Sequence, residues 1–278
     1  DQAISALKAE GVTSIAVCYL HSYSDDSHER ETEEAIRAAM PEAYVSLSSD
    51  VLPQIKEYER VSTTVVNAYV GPLIALYLGR LDEQLKEAGF EGPLLIILSH
   101  GGVAPVSQAV QVAASTVLSG PAGGLAGGRR IAEIMDAPDL ITFDVGGTSS
   151  DISLIADGKA TLSSDRTMAN ERIALPSLDI ITLGAGGGSI ARVESSGLLE
   201  VGPQSAGSVP GPICYGRGGT VPAVTDASVV LGYLDPDNFA GGESKLDREA
   251  AAAAFEALGN RLGVSAIEAA AGVHRVVN

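Results

Sequence analysis

The first fifty residues alternate between two periodicities. Ala3, Ile4 and Leu7 share one face of a helix, and Gly11 punctuates its end. Ser14-Ile15-Ala16-Val17-Cys18-Tyr19-Leu20 is a nearly continuous apolar run, the pattern of a strand buried on both faces of a parallel sheet. His28 to Met40 carries Ala35, Ile36 and Ala39 at helical spacing among Glu and Arg, and Pro41 stops it. Tyr44-Val45-Ser46-Leu47-Ser48 is the next strand. Helix, strand, helix and strand over short loops make an α/β pattern.

A long helical stretch is expected from Ser62 to Ala88, carrying Val65, Val66, Ala68, Tyr69, Leu73, Leu76, Tyr77, Leu81 and Leu85. Gly71-Pro72 is expected to kink or divide it, and Gly89 to end it. A lobe boundary is placed near residue 60, in the charged cluster Lys56-Glu57-Tyr58-Glu59-Arg60, giving lobes 1–60 and 61–278.

Beyond Pro93 the glycines gather where strands end. Leu94–Leu98 runs into Ser99-His100-Gly101-Gly102, Leu140–Phe143 into Asp144-Val145-Gly146-Gly147-Thr148-Ser149-Ser150-Asp151, and Leu178–Leu183 into Gly184-Ala185-Gly186-Gly187-Gly188-Ser189. Ser119-Gly120-Pro121-Ala122-Gly123-Gly124 opens a small-residue helix through Met135. Ile152–Ile155 is a strand with Asp157-Gly158 as its hairpin turn, and residues 202–224 read as a long Pro/Gly/Ser-rich loop. Leu246–Leu262 and Ala266–Val276 are helical. Strand ends are where open α/β sheets bind ligands.

The sharpest constellation is the run from Asp144 to Asp151. Glycines there can take positive φ and let backbone N–H groups approach a phosphate, with the Thr148 and Ser149 hydroxyls as further donors. Asp144 and Asp151 bracket the turn, so both carboxylates can face its mouth and hold Mg²⁺ directly or through water. The plainer reading is a glycine-rich hairpin with Asp as a local turn-former. Two further strand-end glycine clusters favour a ligand.

Charge sharpens that choice. The chain of 278 residues has 18 basic and 35 acidic side chains, a formal net charge of −17. Such a chain binds phosphate through oriented amides and a divalent cation rather than through a basic pocket, and it disfavours nucleic acid as a partner. No run approaches about 18 consecutive apolar residues, so no membrane span is expected. A 45% hydrophobic content excludes disorder, and 32 glycines without a three-residue period exclude collagen. Cys18 and Cys214 lack metal-ligand spacing and cannot make a disulfide framework, which fits a reduced, cytoplasmic setting. The chain has no initiator Met, opens in a helix and stops in another, so a piece of a longer polypeptide is expected.

Other motifs carry less. No GxxxxGK[ST] or G-x-S-x-G is present. Gly186-Gly187-Gly188-Ser189-Ile190-Ala191 matches the dinucleotide pattern G-x-G-x-x-A formally, but Ser195-Ser196-Gly197 interrupts it too soon for the required helix. Gly-Gly-Thr-Ser-Ser is similar to the loop of serine amidases, without their lysine and with Asp151 following. His21 and His100 end strands, where an ordinary hydrogen-bonding role is the simpler one. Cys214 reads as a packed thiol rather than a nucleophile, and Asp226 equally as an N-cap or a site residue.

Five motifs in order identify a family. They are Glu57-Tyr58-Glu59-Arg60-Val61-Ser62-Thr63-Thr64-Val65-Val66-Asn67-Ala68-Tyr69, Leu118–Gly124, Asp144–Asp151, Leu183–Ile190, and Gly211-Pro212-Ile213-Cys214-Tyr215-Gly216-Arg217-Gly218-Gly219. Together they resemble the hydantoinase A / 5-oxoprolinase family, with N-methylhydantoinase A and the acetone carboxylase beta subunit among its members. The resemblance implies an actin/Hsp70/sugar-kinase-like ATPase fold with two RNase H-like lobes around a nucleotide cleft. It makes Asp144–Asp151 the second-lobe phosphate hairpin, with Asp144 and Asp151 catalytic and Asp144 on the metal. Gly146, Gly147, Thr148 and Ser149, with Gly184, Gly186, Gly187, Gly188 and Ser189, then surround the phosphates.

The family implication is an ATP- and Mg²⁺-dependent hydrolase that opens a cyclic amide (hydantoin, 5-oxoproline or a related lactam) by phosphorylating its carbonyl, completed by a hydantoinase B-like partner subunit or fused domain. An ATP-dependent ketone carboxylase subunit and a non-catalytic actin-like nucleotide-binding protein are the alternatives. Three departures stand out. The family's further phosphate loop, Gly-Gly-Thr-Phe-Thr-Asp, has no counterpart here, so the chain alone is expected to turn over little ATP. His100 stands where the family carries Asn, and Ser150 where Thr is common.

Overall fold

The computed structural model describes residues 2–168 and 170–278. They form two compact units. Unit 1 holds the chain up to Leu140 with Leu154–Asp179, and unit 2 holds Ile141–Ser153 with Ile180–Asn278. Compactness thus divides the chain elsewhere than at residue 60.

Unit 1 begins with α1 (Gln2–Ala9), β1 (Ser14–Val17), α2 (Ser27–Ala39) and β2 (Tyr44–Leu47), the alternation expected above. β1 and β2 are parallel, with Ser14 opposite Tyr44 and Val17 opposite Leu47. Ile15 and Val17 point into a core with Ile36 and Leu47, while Ser14 and Ala16 are half-buried, so β1 is less enclosed than its apolar run suggests. The one-turn α3 (Ser48–Val51) follows. Glu29 of α2 is fully buried and accepts from the Ser48 hydroxyl at 2.6 Å, the Ser49 amide at 2.9 Å and the Tyr19 amide at 3.0 Å, stitching the ends of β1 and β2 together.

α4 (Glu57–Glu87) is one continuous helix through Pro72, not two. Proline cannot donate to the carbonyl four residues back, which here is Ala68. That carbonyl instead accepts the Ser14 hydroxyl. Gly71 gives the Tyr44 ring room, since a Cβ there would stand 2.2 Å from it. At the far end Gly89 has φ +86°, its amide bonds Lys86 and the Phe90 amide bonds Leu85, a Schellman ending.

The burial of α4 is inverted relative to its composition. Arg60, Ser62, Thr63, Thr64 and Asn67 are buried, while Val65, Tyr69, Leu73, Leu76 and Tyr77 are exposed. A polar ladder explains this. Arg60 donates to the Tyr19 carbonyl at 2.7 Å, Ser62 to that of Arg172 at 2.6 Å, and Asn67 to Ser46 and Gln111 while accepting the Ala114 amide. Length and composition alone would let α4 cross a membrane. Its buried arginine and hydrogen-bonded polar face are those of a helix packed within unit 1.

The unit continues through the hairpin β3 (Leu95–Ile97) and β4 (Val103–Pro105), α5 (Val106–Gln111) and α6 (Ser119–Met135). β5 (Leu140–Val145) and β6 (Ser150–Ala156) then cross the division between units, and Asp157-Gly158, both at positive φ, turn β6 into β7 (Lys159–Ala160) as expected. Short strands β8 (Leu162–Ser163), β9 (Arg166–Met168), β10 (Glu171–Ile173) and β11 (Ser177–Leu178) complete unit 1. The expected single run Leu178–Leu183 is therefore split, because β11 pairs with β8 in unit 1 and β12 (Ile181–Leu183) pairs with β6 in unit 2.

Unit 2 contains the strand order β12-β6-β5, then the antiparallel pair β13 (Ser189–Val193) and β14 (Leu199–Ser205). The 202–224 segment is thus a strand as far as Ser205 and then a loop, with a short helical turn at Ile213–Tyr215, up to the start of the next helix at Val224. α7 (Val224–Val230), α8 (Arg248–Leu262) and α9 (Ala266–Val277) pack Ala227, Phe255, Leu258, Ala270 and Val273 against Ala191 of β13. Ser265 and Glu268 cap α9 reciprocally, and Asp247 caps α8 through the Ala250 amide.

Candidate functional site

All the residues of the Asp144–Asp151 and Gly184–Ser189 segments lie in unit 2. Gly146–Ser149 is a tight turn in which the Gly146 amide donates to the Ser149 carbonyl at 2.8 Å. Further down, the Thr142 and Ser153 hydroxyls meet. These two pairs define one register, in which Asp144 stands opposite Asp151 on the same face of the hairpin. Thr182 of β12 pairs with Asp151 and donates its hydroxyl to that carboxylate at 2.6 Å. Among the described residues no group of three or more His, Cys, Asp or Glu is placed to hold a metal. A facing pair suits Mg²⁺, which takes one or two carboxylates and fills its octahedron with phosphate and water.

Gly146, Gly147 and Thr148 are exposed and Ser149 half-buried. The amides of Gly147, Thr148 and Ser149 donate to no acceptor among the described residues, so three adjacent N–H groups are open at the turn. Neither Gly146 nor Gly147 has a positive φ, which corrects the conformational role expected of them. A Cβ on Gly146 would meet the Ser149 carbonyl at 3.1 Å, whereas one on Gly147 would meet nothing. Among the described residues nothing gives a steric reason for glycine at 147.

Gly184–Ser189 behaves differently. Gly186, Gly188 and Ser189 are buried, and their donors are used within the protein. The Gly187 amide bonds the Gly146 carbonyl at 3.0 Å, the Gly188 amide bonds that of Gly147 at 2.6 Å, and the Gly186 amide bonds the Ser189 hydroxyl at 2.9 Å. A Cβ on Gly186 would lie 2.6 Å from the Gly146 carbonyl oxygen, and one on Gly188 2.8 Å from that of Gly147. Glycine is needed here for backbone-to-backbone approach. The loop buttresses the turn, with the Ser150 hydroxyl on the Ala185 carbonyl as a further tie. β13 begins at Ser189, so the segment opens a strand and the dinucleotide reading, which needs a helix, is excluded.

Residues that spacing did not single out complete the surroundings. The Thr148 hydroxyl reaches that of Ser205 at 3.3 Å. Thr225 offers both its amide and its hydroxyl to the Gly187 carbonyl at 2.7 Å. Their neighbours in space come from β14 and α7, far along the chain, so no local pattern announces them. Asp226 is fully buried and accepts the amides of Cys214 at 2.7 Å, Ala223 at 2.8 Å and Ile213 at 3.2 Å. It sits inside the first turn of α7 rather than at its N-cap. Burial and the Asp226 carboxylate push the Cys214 thiol far up, in keeping with a packed thiol rather than a nucleophile.

In unit 1, His100 is exposed and accepts the Gly102 amide at 3.1 Å, a local bond. His21 is exposed, has φ +62° and contacts the Tyr23 hydroxyl at 3.5 Å.

A family model described as hydantoinase/oxoprolinase matches residues 60–278, and one described as the hydantoinase/oxoprolinase N-terminal region matches residues 1–40. The chain belongs to the hydantoinase/oxoprolinase family. Within that family it is 41% identical over 277 residues to the caprolactamase subunit alpha of Pseudomonas jessenii, covering 99% of this chain and 40% of that one. It is 37% identical over 280 residues to the acetophenone carboxylase gamma subunit of Aromatoleum aromaticum, covering 98% and 38%. Among solved structures, a nucleotide-free acetone carboxylase matches with a TM-score of 0.85 at 33% identity, over 99% of this chain and 39% of that one. The Pseudomonas jessenii caprolactamase matches with a TM-score of 0.76 at 40% identity, over 99% and 40%. Both enzymes are ATP-dependent. The mixed α/β fold is theirs, in keeping with the actin-like ATPase fold that the sequence resemblance implies. The chain spans about 40% of the length of the caprolactamase subunit.

Proposed function

We propose that this chain supplies the phosphate-holding part of the ATP site of an enzyme that opens a cyclic amide. The observation that carries the reading is the turn Gly146–Ser149, whose amides at Gly147, Thr148 and Ser149 have no acceptor among the described residues, on a hairpin whose register sets Asp144 across from Asp151. Such a nest of N–H groups binds phosphate oxygens without added positive charge. That is the solution a chain of net charge −17 requires.

In this reading the amides of Gly147, Thr148 and Ser149 and the hydroxyls of Thr148 and Ser149 hold the transferring end of ATP. Asp144 and Asp151 hold Mg²⁺, with Thr182 orienting Asp151. Gly186, Gly187, Gly188 and Ser189 serve by fixing the turn rather than by donating to phosphate, with Gly184 beside them at the end of β12. Bound ATP supplies the phosphoryl group that makes an unreactive amide carbonyl open to attack by water. What these residues contribute is alignment of the phosphates and compensation of their charge. The cyclic amide and a second subunit or domain that presents it belong to the same proposal. A second reading, an ATP-dependent ketone carboxylase subunit, draws on the acetone carboxylase match.

Crystals of the full-length protein soaked with ADP and Mg²⁺ test the site. Phosphate density is expected against the amides of Gly147, Thr148 and Ser149, with the metal between phosphate and Asp144 or Asp151. Phosphate bound elsewhere with the turn empty overturns the reading. ATP hydrolysis by the full-length protein with its partner, stimulated by a lactam and not by a ketone with bicarbonate, separates the two chemistries.

A further inference from the structure

We propose that Thr225 is a positioning residue for the phosphate turn, acting through Gly187. The inference rests on the phosphate reading above and adds a control point that lies outside the turn itself.

The Gly187 peptide stands between two elements. Its carbonyl accepts the Thr225 amide and hydroxyl, both at 2.7 Å, and its amide donates to the Gly146 carbonyl at 3.0 Å. The Gly188 amide donates in parallel to the Gly147 carbonyl at 2.6 Å. The carbonyls of Gly146 and Gly147 are thus drawn back into the protein, and the next three amides are left open toward solvent. Peptide units in such a chain polarise one another, so a donor on the Gly187 carbonyl strengthens the bond that its amide makes.

Thr225 is itself held. It is buried in the first turn of α7, between Val224, in the core with Phe255 and Val273, and Asp226, which accepts three backbone amides. The Ala191 amide bonds the Pro222 carbonyl at 2.8 Å, tying the approach to α7 onto β13. The packed half of unit 2 therefore meets the Gly184–Ser189 loop at Thr225, and the loop passes that position to the turn. Room is tight: a Cβ on Gly187 would lie 2.8 Å from the Thr225 hydroxyl oxygen. The hydroxyl is not needed to satisfy the Gly187 carbonyl, because the Thr225 amide already does so. Its bond is an extra restraint.

The test uses the full-length protein with Mg·ADP as the probe. Thr225→Val keeps the shape and the amide and removes the hydroxyl. It is expected to raise the Kd for Mg·ADP and the KM for ATP about tenfold while changing kcat less than about twofold. Thr225→Ser, which restores the hydroxyl, is expected to bind within about twofold of the original. Thr225→Ala gives the same tenfold loss and serves if the valine variant does not fold. Unchanged binding in the valine or alanine variant, or a serine variant as weak as either, overturns the proposal. Gly147→Ala separates the two levels. If it weakens Mg·ADP binding and the Thr225 variants do not, only the positioning role fails. If the unaltered protein does not bind Mg·ADP, or binds it indifferently to Gly147→Ala, the phosphate reading fails and this role with it.

Discussion

Gly146–Ser149 and Gly184–Ser189 both follow strands of the same sheet in unit 2, but they spend their backbone donors in opposite ways. The first is exposed at Gly146, Gly147 and Thr148 and leaves three consecutive amides without acceptors among the described residues. The second is buried at Gly186 and Gly188 and gives the amides of Gly187 and Gly188 to the carbonyls of the first. The difference teaches that glycine density does not by itself mark a phosphate cradle. In the proposed reading the first loop is shaped for a ligand, whereas the second gives two of its amides to the first loop. Changes at the buried glycines of the second loop should therefore be read first in stability, and changes on the turn in ligand binding.

The largest break comes from removing the anchor behind both loops. Asp226→Ala leaves the buried amides of Cys214 and Ala223 and the half-buried amide of Ile213 unpaired, each worth roughly 1–3 kcal/mol. Denaturant titration should show a stability loss of about 3–5 kcal/mol. A loss below 1 kcal/mol would mean that unit 2 does not depend on this carboxylate. Gly186→Ala comes next, because its methyl would meet the Gly146 carbonyl oxygen at 2.6 Å and backbone must move. About 1–3 kcal/mol is expected, read as a lowered Tm.

Gly147→Ala sharpens the contrast from the other side. Nothing among the described residues lies within 4 Å of the added Cβ, so Tm should hold, with stability changed by less than about 0.5 kcal/mol. Mg·ADP affinity should nevertheless fall about tenfold. An alanine that destabilises at 147 and is harmless at 186 would invert the comparison.

Much of this organisation was legible in the chain. Helical stripes and apolar runs give α1, β1, α2, β2 and α6 their places, and Asp157-Gly158 announces its turn, because each is set by local periodicity or turn chemistry. The Asp144–Asp151 hairpin was visible too, since glycine and paired aspartates at strand ends are a local signature. The inversion of α4 was not. Its apolar residues are on the exposed side because Arg60, Ser62 and Asn67 find partners at Tyr19, Arg172, Ser46 and Gln111, and such pairings carry no sequence periodicity. The same holds for Ser205 and Thr225, which reach the glycine loops only through tertiary packing.

The smallest expected effect belongs to unit 1 and is a drift with pH. Burial pushes the Glu29 carboxyl up, but the Ser48 hydroxyl and the Ser49 and Tyr19 amides together hold it below its usual value. A carboxyl depressed on folding adds stability that is complete above its unfolded pKa and is lost as pH falls through the folded value. Unfolding free energy measured from neutral pH downward should therefore decline below the ordinary glutamate range, and Glu29→Gln should flatten that decline. An unchanged slope in the glutamine variant would remove Glu29 from the account.

Amide-resolved NMR hydrogen exchange, recorded with and without Mg·ADP, tests the central claim most directly. The account predicts slow exchange at Gly187 and Gly188 in both states, and fast exchange at Gly147, Thr148 and Ser149 that becomes slow when the nucleotide binds. Fast exchange at Gly187 and Gly188 that slows on binding, with Gly147, Thr148 and Ser149 indifferent to the nucleotide, would contradict it.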